Sequence, residues 1–456
     1  MLLAEDVAPA VDTGHTAWLL VSSALVLLMT PGLAFFYGGL NRSKSVLNMM
    51  MMSFSSIGLI SILWLLYGWA GAFGKDRPLN DSTAGFIGDF TDGAGNSYLG
   101  THSFPGLFGY PNAFPVANAT IPTYVILIFQ MMFAIITVAL ISGGIADRAK
   151  FIGWLIFAAA WFTLAYIPIA HMVWGGGYLG ATVGELDFAG GSAVHINAGA
   201  AALALAIVLG RRLGWPQASF KPHNVPFVAL GAGLLWFGWF GFNAGSEQTV
   251  DGTTAVAFVN TQVATAAALL GWIIVEWIKG GKPTLVGASS GAVAGLVAIT
   301  PACAFIEPWS AALLGVVAGA LCCLAVGLKY LFRVDDSLDV FGIHFVGGWI
   351  GCLWIGFFAT GRAGWVFQPN EGGFGKEGLF YGGGGDQLVA QLQGAAIVSV
   401  WSFAVALAVG YLLRFVGLFK VEDEHQDELD HHLHKESAYE SFTPTTSSAA
   451  GAHAGV

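Results

Sequence analysis

The sequence predicts an all-α polytopic membrane protein with eleven transmembrane helices, arranged as an inverted 5+5 repeat plus one C-terminal helix. Three observations carry this expectation. Of 456 residues, 55% are hydrophobic and only 10% are charged, against about 25% charged in a soluble chain. Apolar runs of roughly 20 residues recur, each long enough to cross a ~30 Å hydrocarbon core. Finally, His195 and His344 lie inside apolar segments, each eight residues after an aspartate: Asp187-Phe-Ala-Gly-Gly-Ser-Ala-Val-His195 and Asp336-Ser-Leu-Asp-Val-Phe-Gly-Ile-His344. Ionisable groups are costly in lipid, so those found there usually serve a function.

The spans are expected at 16–40, 46–74, 121–146, 151–174, 188–210, 225–244, 253–278, 285–304, 309–332, 340–360 and 388–415. Residues 1–15 lack a basic leader region, so the first run reads as a span, not a cleaved signal. The 63 glycines suit close helix–helix contact in lipid. Cys303, Cys322, Cys323 and Cys352 sit in or beside apolar segments, without the spacing of a metal site or a disulfide scaffold, and read as small packing residues.

An odd number of spans puts the termini on opposite sides. Arg42, Lys44, Arg148, Lys150, Arg211, Arg212, Lys221, Lys279, Lys282, Lys329, Arg333, Arg414, Lys420 and Lys435 all fall on one side, which makes 14 of the 18 Lys and Arg. Lys75, Arg77, Arg362 and Lys376 fall on the other. The positive-inside rule then places the N-terminus outside and the C-terminus in the cytoplasm. The domain plan follows: 1–15 extracellular, 16–210 the first five-helix repeat, 211–224 a cytoplasmic linker, 225–360 the second repeat, 361–387 an extracellular loop, 388–415 the eleventh helix and 416–456 a cytoplasmic tail. The polar stretches 75–120 and 361–387 are expected either as caps over the outer face or as flexible loops. The tail is acidic, with Glu422, Asp423, Glu424, Asp427, Glu428, Asp430, Glu436 and Glu440, and it interleaves His425, His431, His432 and His434. It is expected as a solvated charged segment rather than a metal site, ending from Thr443 in a disordered Ser/Thr/Ala/Gly-rich stretch.

Five spans per half make the second half inverted, an architecture that recurs in transporters with midplane sites. If a helix starts near each aspartate, eight residues at 1.5 Å carry each histidine about 12 Å in from opposite faces. The two then meet near the midplane; the plain alternative is two unrelated core histidines. Asp187 and Asp336 are expected to cap free N–H groups at the helix starts. His171, near the end of span 4, is expected to pack.

Several blocks, in order along about residues 14–440, resemble the ammonium transporter (Amt/Mep/Rh) family on its Amt branch. They are Pro31-Gly-Leu-Ala-Phe-Phe-Tyr-Gly-Gly39, Ala170-His-Met-Val-Trp-Gly-Gly-Gly177, Asp187–Asn197, Trp239-Phe-Gly-Phe-Asn-Ala-Gly-Ser246 and Asp335–His344. The resemblance implies a homotrimer with one pore per subunit in the plasma or inner membrane, carrying ammonium or ammonia, with methylammonium as an analogue. By motif position it implies an outer recruitment site at Trp174 and Ser246 with Phe129 and Phe133 beside it. A gate of Phe133 on Phe242 follows, then the pore histidines His195 and His344, with Asp187 as the structural acid. It also implies a tail that packs under neighbouring subunits and answers to a PII-type regulator. No enzymatic activity, cofactor, metal or nucleic-acid partner is expected; membrane lipid is.

Residue chemistry suits this reading. An aromatic face attracts a small cation by about 0.5–2 kcal/mol, and a hydroxyl accepts an N–H that potassium does not have. Two departures stand out: Phe345 follows His344 where many relatives have glycine, and His434-Lys-Glu436 stands where they often have His-Gly-Glu. Competing readings are an ammonium sensor, a gas channel of the Rh branch, and a haem protein ligated by intramembrane histidines.

Overall fold

The computed structural model describes residues 11–90, 121–218, 220–363 and 376–439. Glu440, the stretch from Thr443, residues 91–120 of the first long polar loop and 364–375 of the second lie outside the described residues. Among the described residues there are helices and three isolated β-bridges but no named strand.

Among the described residues, ten helices are long and apolar enough to cross a membrane. They are α1 (Thr13–Leu40), α2 (Val46–Phe73), α3 (Thr123–Ile145), α4 (Phe151–Val183), α5 (Gly191–Leu209), α6 (Val225–Glu247), α7 (Gly252–Ile278), α9 (Pro308–Phe332), α10 (Phe341–Phe358) and α11 (Asp386–Phe415). Between α7 and α9 lies a shorter apolar helix, α8 (Leu285–Ile299). The sequence suggests a full span over 285–304, but the helix stops at Ile299, two residues before Pro301, which has no N–H to continue the helical ladder. Hydrogen-bonded turns follow, and Asn260 of α7 donates through Nδ2 to the carbonyls of Cys303 at 2.8 Å and Ile306 at 2.7 Å. Backbone that leaves a helix at membrane depth needs such partners.

Glycine sets the closest helix contacts. α1 lies along α6, where a Cβ on Gly39 would meet the Asn224 carbonyl oxygen at 2.7 Å and one on Gly231 would meet the Phe36 amide nitrogen at 2.2 Å. α5 crosses α10 in the same way: a Cβ on Gly199 would lie 2.6 Å from the Phe345 amide nitrogen. α5 starts at one end of the bundle, beside the last helical turn before Gly175 in α4. α10 starts at the other end, where Arg42, Arg148 and Arg212 gather, here termed the basic end.

After α11 the chain folds back across the basic end. Phe419 accepts from the Lys150 amide at 2.8 Å, and the Val421 amide donates to Arg148 at 2.9 Å. A short helix α12 (Leu429–His434) follows. Asp430 caps α2, accepting from the amides of Leu47 at 2.9 Å and Asn48 at 2.8 Å. The expectation of a solvated tail is therefore corrected for this part. Gln426, Leu429 and Asp430 are buried, because the free amides at the α2 start offer the carboxylate better partners than solvent alone implies. Burial, outweighing those two amides, raises the Asp430 pKa.

Replacing Asp430 with Ala removes this cap, a loss of about 1–2 kcal/mol at a helix start. The expected outcome is faster proteolytic removal of the tail with the helical bundle still folded. Unchanged digestion of Asp430→Ala would contradict the docking.

Candidate functional site: an aromatic and imidazole row through the bundle

Trp174 ends the last α-helical turn of α4 before Gly175, and its Nε1–H donates to the Asp187 carbonyl at 2.8 Å. Its ring meets Phe133 edge-on, with centroids 5.9 Å apart. Phe129 lies 4.9 Å from Phe133, one helical turn away on α3. Phe133 stacks on Phe242 of α6 at 4.2 Å and 24°. Phe242 lies 6.1 Å from the His195 ring, and the His195 and His344 rings are 5.4 Å apart. The predicted residues thus form one row, from the partly exposed Trp174 through a buried phenylalanine stack to two buried imidazoles.

Ser246 sits in the tightened turn that ends α6, and its hydroxyl donates to the Phe242 carbonyl at 2.8 Å. That bond uses its only hydrogen and leaves oxygen lone pairs to accept from another donor. Its neighbour Gly245 is held against Phe129, where an added Cβ would meet the ring at 3.0 Å.

Both histidines occupy π-helical turns, Gly191–Ile196 and Phe341–Phe345, at the starts of α5 and α10. Such turns are rare and favour functional positions. Asp187 builds the first of them. Its carboxylate accepts from the amides of Gly190, Gly191, Ser192 and Ala193 at 2.6–3.0 Å and from the Ser192 hydroxyl at 2.8 Å. Asp336 accepts from the amides of Val340 at 3.2 Å and Phe341 at 2.8 Å. The segment from Asp187 to Gly190 is not helical, and Gly190 takes a left-handed φ of 116°. The depth of about 12 Å obtained from a continuous helical rise therefore does not apply; the carboxylates cap turns that begin several residues later.

The two imidazoles face each other through Nδ1, 3.3 Å apart. One proton fits that contact, since two N–H groups would oppose each other. His195 Nε2 is buried with no hydrogen-bond partner among the described residues. The cavity at this point is lined by apolar side chains including Leu33, Ile136, Val194 and Val293, together with both histidines. It leaves about 10 Å³ for the centre of a water-sized molecule, near the minimum for one such molecule. Trp239 forms a wall that the sequence reading did not single out. It stacks on His195 at 5.3 Å and is fixed by Nε1–H donating to Thr300 Oγ1 at 2.8 Å. Only its inclusion in the motif block hinted at this. Phe345 is not among the cavity-lining residues; it stacks on Phe341 at 5.0 Å.

His171 is hydrogen-bonded rather than simply packed. Its Nδ1 lies 3.0 Å from the Ala72 carbonyl and its Nε2 lies 2.9 Å from Asp76 Oδ1, tying α4 to the segment after α2. Burial leaves an imidazole no water, so each ring nitrogen takes a protein partner. At the basic end lies a cluster that the sequence offered only as an orientation signal. Arg212 grips Asp335 with Nε at 2.9 Å and Nη2 at 2.8 Å, and reaches Asp147 with Nη1 at 3.0 Å. Arg148 donates to the carbonyls of Gly144, Ala146 and Asp335 and to the Ser337 hydroxyl. Burial lowers the Arg148 pKa to about 10. Burial opposes ionisation of Asp335, but its bonds to Arg212 and the charge of Arg148 outweigh that and hold its pKa below the usual range.

With this geometry in view, comparison with known proteins is direct. Residues 17–439 match the model of the Ammonium Transporter Family. The chain belongs to that family. It is 50% identical over 449 residues to an ammonium transporter of Mycobacterium tuberculosis, covering 94% of this chain and 91% of that one. With an ammonium transporter of Aquifex aeolicus it shares 46% over 431 residues, covering 94% of each. Among solved structures, Candida albicans Mep2 superposes with a TM-score of 0.79 at 32% identity, covering 92% of this chain and 89% of that one. The family is one of transporters, not enzymes, and this member is a multi-pass membrane protein.

Asp335→Asn leaves Arg212 buried with a weakened partner, and breaking such a pair costs about 3–5 kcal/mol. The expected outcome is a Tm several degrees lower in detergent, and an unchanged Tm would contradict it. Because the folded pKa of Asp335 is depressed, its stabilisation is complete above the unfolded value of about 4 and is lost as pH falls through the folded value. The gap between wild type and Asp335→Asn should therefore narrow on acidification in that window.

Proposed function

We propose that the chain conducts ammonium as ammonia through a hydrophobic pore along the row Trp174, Phe133, Phe242, His195 and His344. The observation that carries this reading is that row's continuity. It runs from a partly exposed indole through a phenylalanine stack, with the Ser246 hydroxyl on the Phe242 carbonyl, to a dehydrated imidazole pair with an unpartnered nitrogen. Family membership and the names of the relatives support the substrate.

Ammonium is recruited by the Trp174 face, and it donates an N–H to Ser246 Oγ, whose own hydrogen is engaged elsewhere. Potassium can take the aromatic attraction but donates nothing to the hydroxyl. Phe133 and Phe242 close the path at 4.2 Å, so passage requires the rings to move and the cation to shed water. Beyond them the apolar lining penalises charge, and ammonium is driven toward ammonia plus a proton. With one proton between the two Nδ1 atoms, one Nε2 is an acceptor and the other an N–H donor. Ammonia can be held at either, and the pair can relay a proton.

In the same reading the basic end faces the cytoplasm. The two halves form an inverted repeat in which α1 pairs with α6 and α5 with α10, and α8 with its turns makes the eleventh crossing. A homotrimer, lipid contacts and a PII-type regulator acting on the tail belong to this proposal. In it Asp187 is a structural acid, its carboxylate bonds all being spent on the turn that carries His195.

Methylammonium uptake into liposomes tests the reading. His195→Ala and His344→Ala each remove one half of the Nδ1 contact, and a buried hydrogen bond left unmade costs about 1–3 kcal/mol. Uptake, or discrimination against potassium, should therefore fall by roughly tenfold or more. Normal flux and selectivity in both variants would overturn the central site. Trp174→Leu should weaken apparent affinity by up to about thirtyfold, with assembly intact; an affinity unchanged there and in Ser246→Ala would remove the recruitment site.

A further inference from the structure

At the basic end a cup of about 440 Å³ is lined by Arg42, Ser43, Lys44, Lys221, His223 and Asp427. That volume falls in the range of small-molecule sites. Three cations face one carboxylate across it. Transport through the aromatic row uses none of these groups.

The cations differ in what holds them. Arg42 is the most tied. Nη1 donates to Asp427 at 2.7 Å, Nη2 to the Gln426 carbonyl at 2.9 Å, and Nε lies 3.2 Å from Asp147. Its guanidinium also lies 5.6 Å from the centre of the Phe220 ring, whose position is fixed by Arg212 at 4.0 Å. Lys44 is loosely paired with Glu428 at 3.7 Å, both side chains being about two-thirds exposed. Lys221 is exposed and, among the described residues, has no ion-pair partner. Both ring nitrogens of His223 are engaged: its Nδ1 meets the Asn41 carbonyl at 2.9 Å and its Nε2 meets the Tyr439 hydroxyl at 2.8 Å.

Asp427 thus sits where an anion would, while Glu428, which does not line the cup, reaches Lys44 at 3.7 Å. Both are exposed on the tail, with the Asp427 side chain 67% and that of Glu428 70% accessible, so neither is locked in place by burial. An exposed carboxylate gains little from such a pair and is readily exchanged. A phosphate group offers more charge and three acceptor oxygens, and a guanidinium with two ammonium groups matches it better than separate carboxylates do.

We infer that this cup is a binding site for a phosphate-bearing anion, occupied in its absence by the tail's own Asp427 as an internal competitor. The anion bridges Lys221 and Lys44 and takes the outer N–H of Arg42 from Asp427, while Asp147 keeps Arg42 in position. A free phosphate compound and a lipid headgroup share this chemistry.

The test uses the purified full-length protein. Pyrophosphate binding is measured by calorimetry in uncharged detergent, and retention of phosphatidylglycerol against phosphatidylcholine is measured by native mass spectrometry. Lys221→Gln should weaken binding about tenfold through loss of a charge-assisted bond. Asp427→Asn should tighten it about two- to fivefold by removing the competitor. Lys282→Gln, in a loop that does not line the cup, should leave binding unchanged. This pattern with pyrophosphate assigns the site to soluble anions, and the same pattern with phosphatidylglycerol alone assigns it to a headgroup. Three results overturn the site: binding of neither, equal weakening by Lys282→Gln, or no tightening by Asp427→Asn.

Discussion

His195 and His344 meet Nδ1 to Nδ1 at 3.3 Å, and two helices that start at opposite ends of the bundle must cross closely for that contact to exist. Gly199 permits the crossing, since any side chain there would strike the Phe345 backbone. Asp187 and Asp336 permit it from the two ends, each binding the free amides of the turn that carries its histidine. Without those carboxylates the π-helical turns would leave N–H groups unpaired at depth, where each costs several kcal/mol. The aromatic row then follows from the crossing: Trp239 and Phe242 of α6 and Phe133 of α3 cover the imidazole pair from one side.

Polarity is distributed accordingly. The imidazole pair lies among apolar side chains beside stacked rings, while a buried network of arginines and aspartates is gathered at the basic end. There, Arg42, Arg148, Arg212, Asp147 and Asp335 lock the loops that join α1 to α2, α3 to α4, α5 to α6 and α9 to α10. A dry path and a rigid charged end are complementary requirements. The path can discriminate against charge only if it stays dehydrated, and it stays narrow only if the helices do not shift.

Much of this was legible in the sequence because lipid imposes simple rules. Apolar runs bounded by Arg, Lys and Gly placed nine of the helices to within about three residues of their ends. The exceptions are α8, which stops five residues short of the expected span, and α4, since Gly175–Gly177 read as a terminus although helical turns resume at Tyr178. The residues that the structure brings into one row were named through spacing and through the motif blocks. What stayed hidden depends on partners distant in the chain. The π-helical turns arise from carboxylate caps and close packing, neither of which has a sequence period. Trp239 looked like any apolar core residue until His195 stacked on it. The tail's charge suggested solvation, yet Asp430 is buried because it finds the amides of Leu47 and Asn48.

The central claim is that a cation enters at Trp174, but only a species able to give up a proton passes the phenylalanine stack. A concentration jump of ammonium, applied to liposomes containing the wild-type protein, addresses it most directly when followed by an equal jump of potassium. The account predicts a protein-dependent uptake signal with ammonium and none above empty liposomes with potassium. Equal signals from the two ions would contradict it, because potassium has no proton to lose.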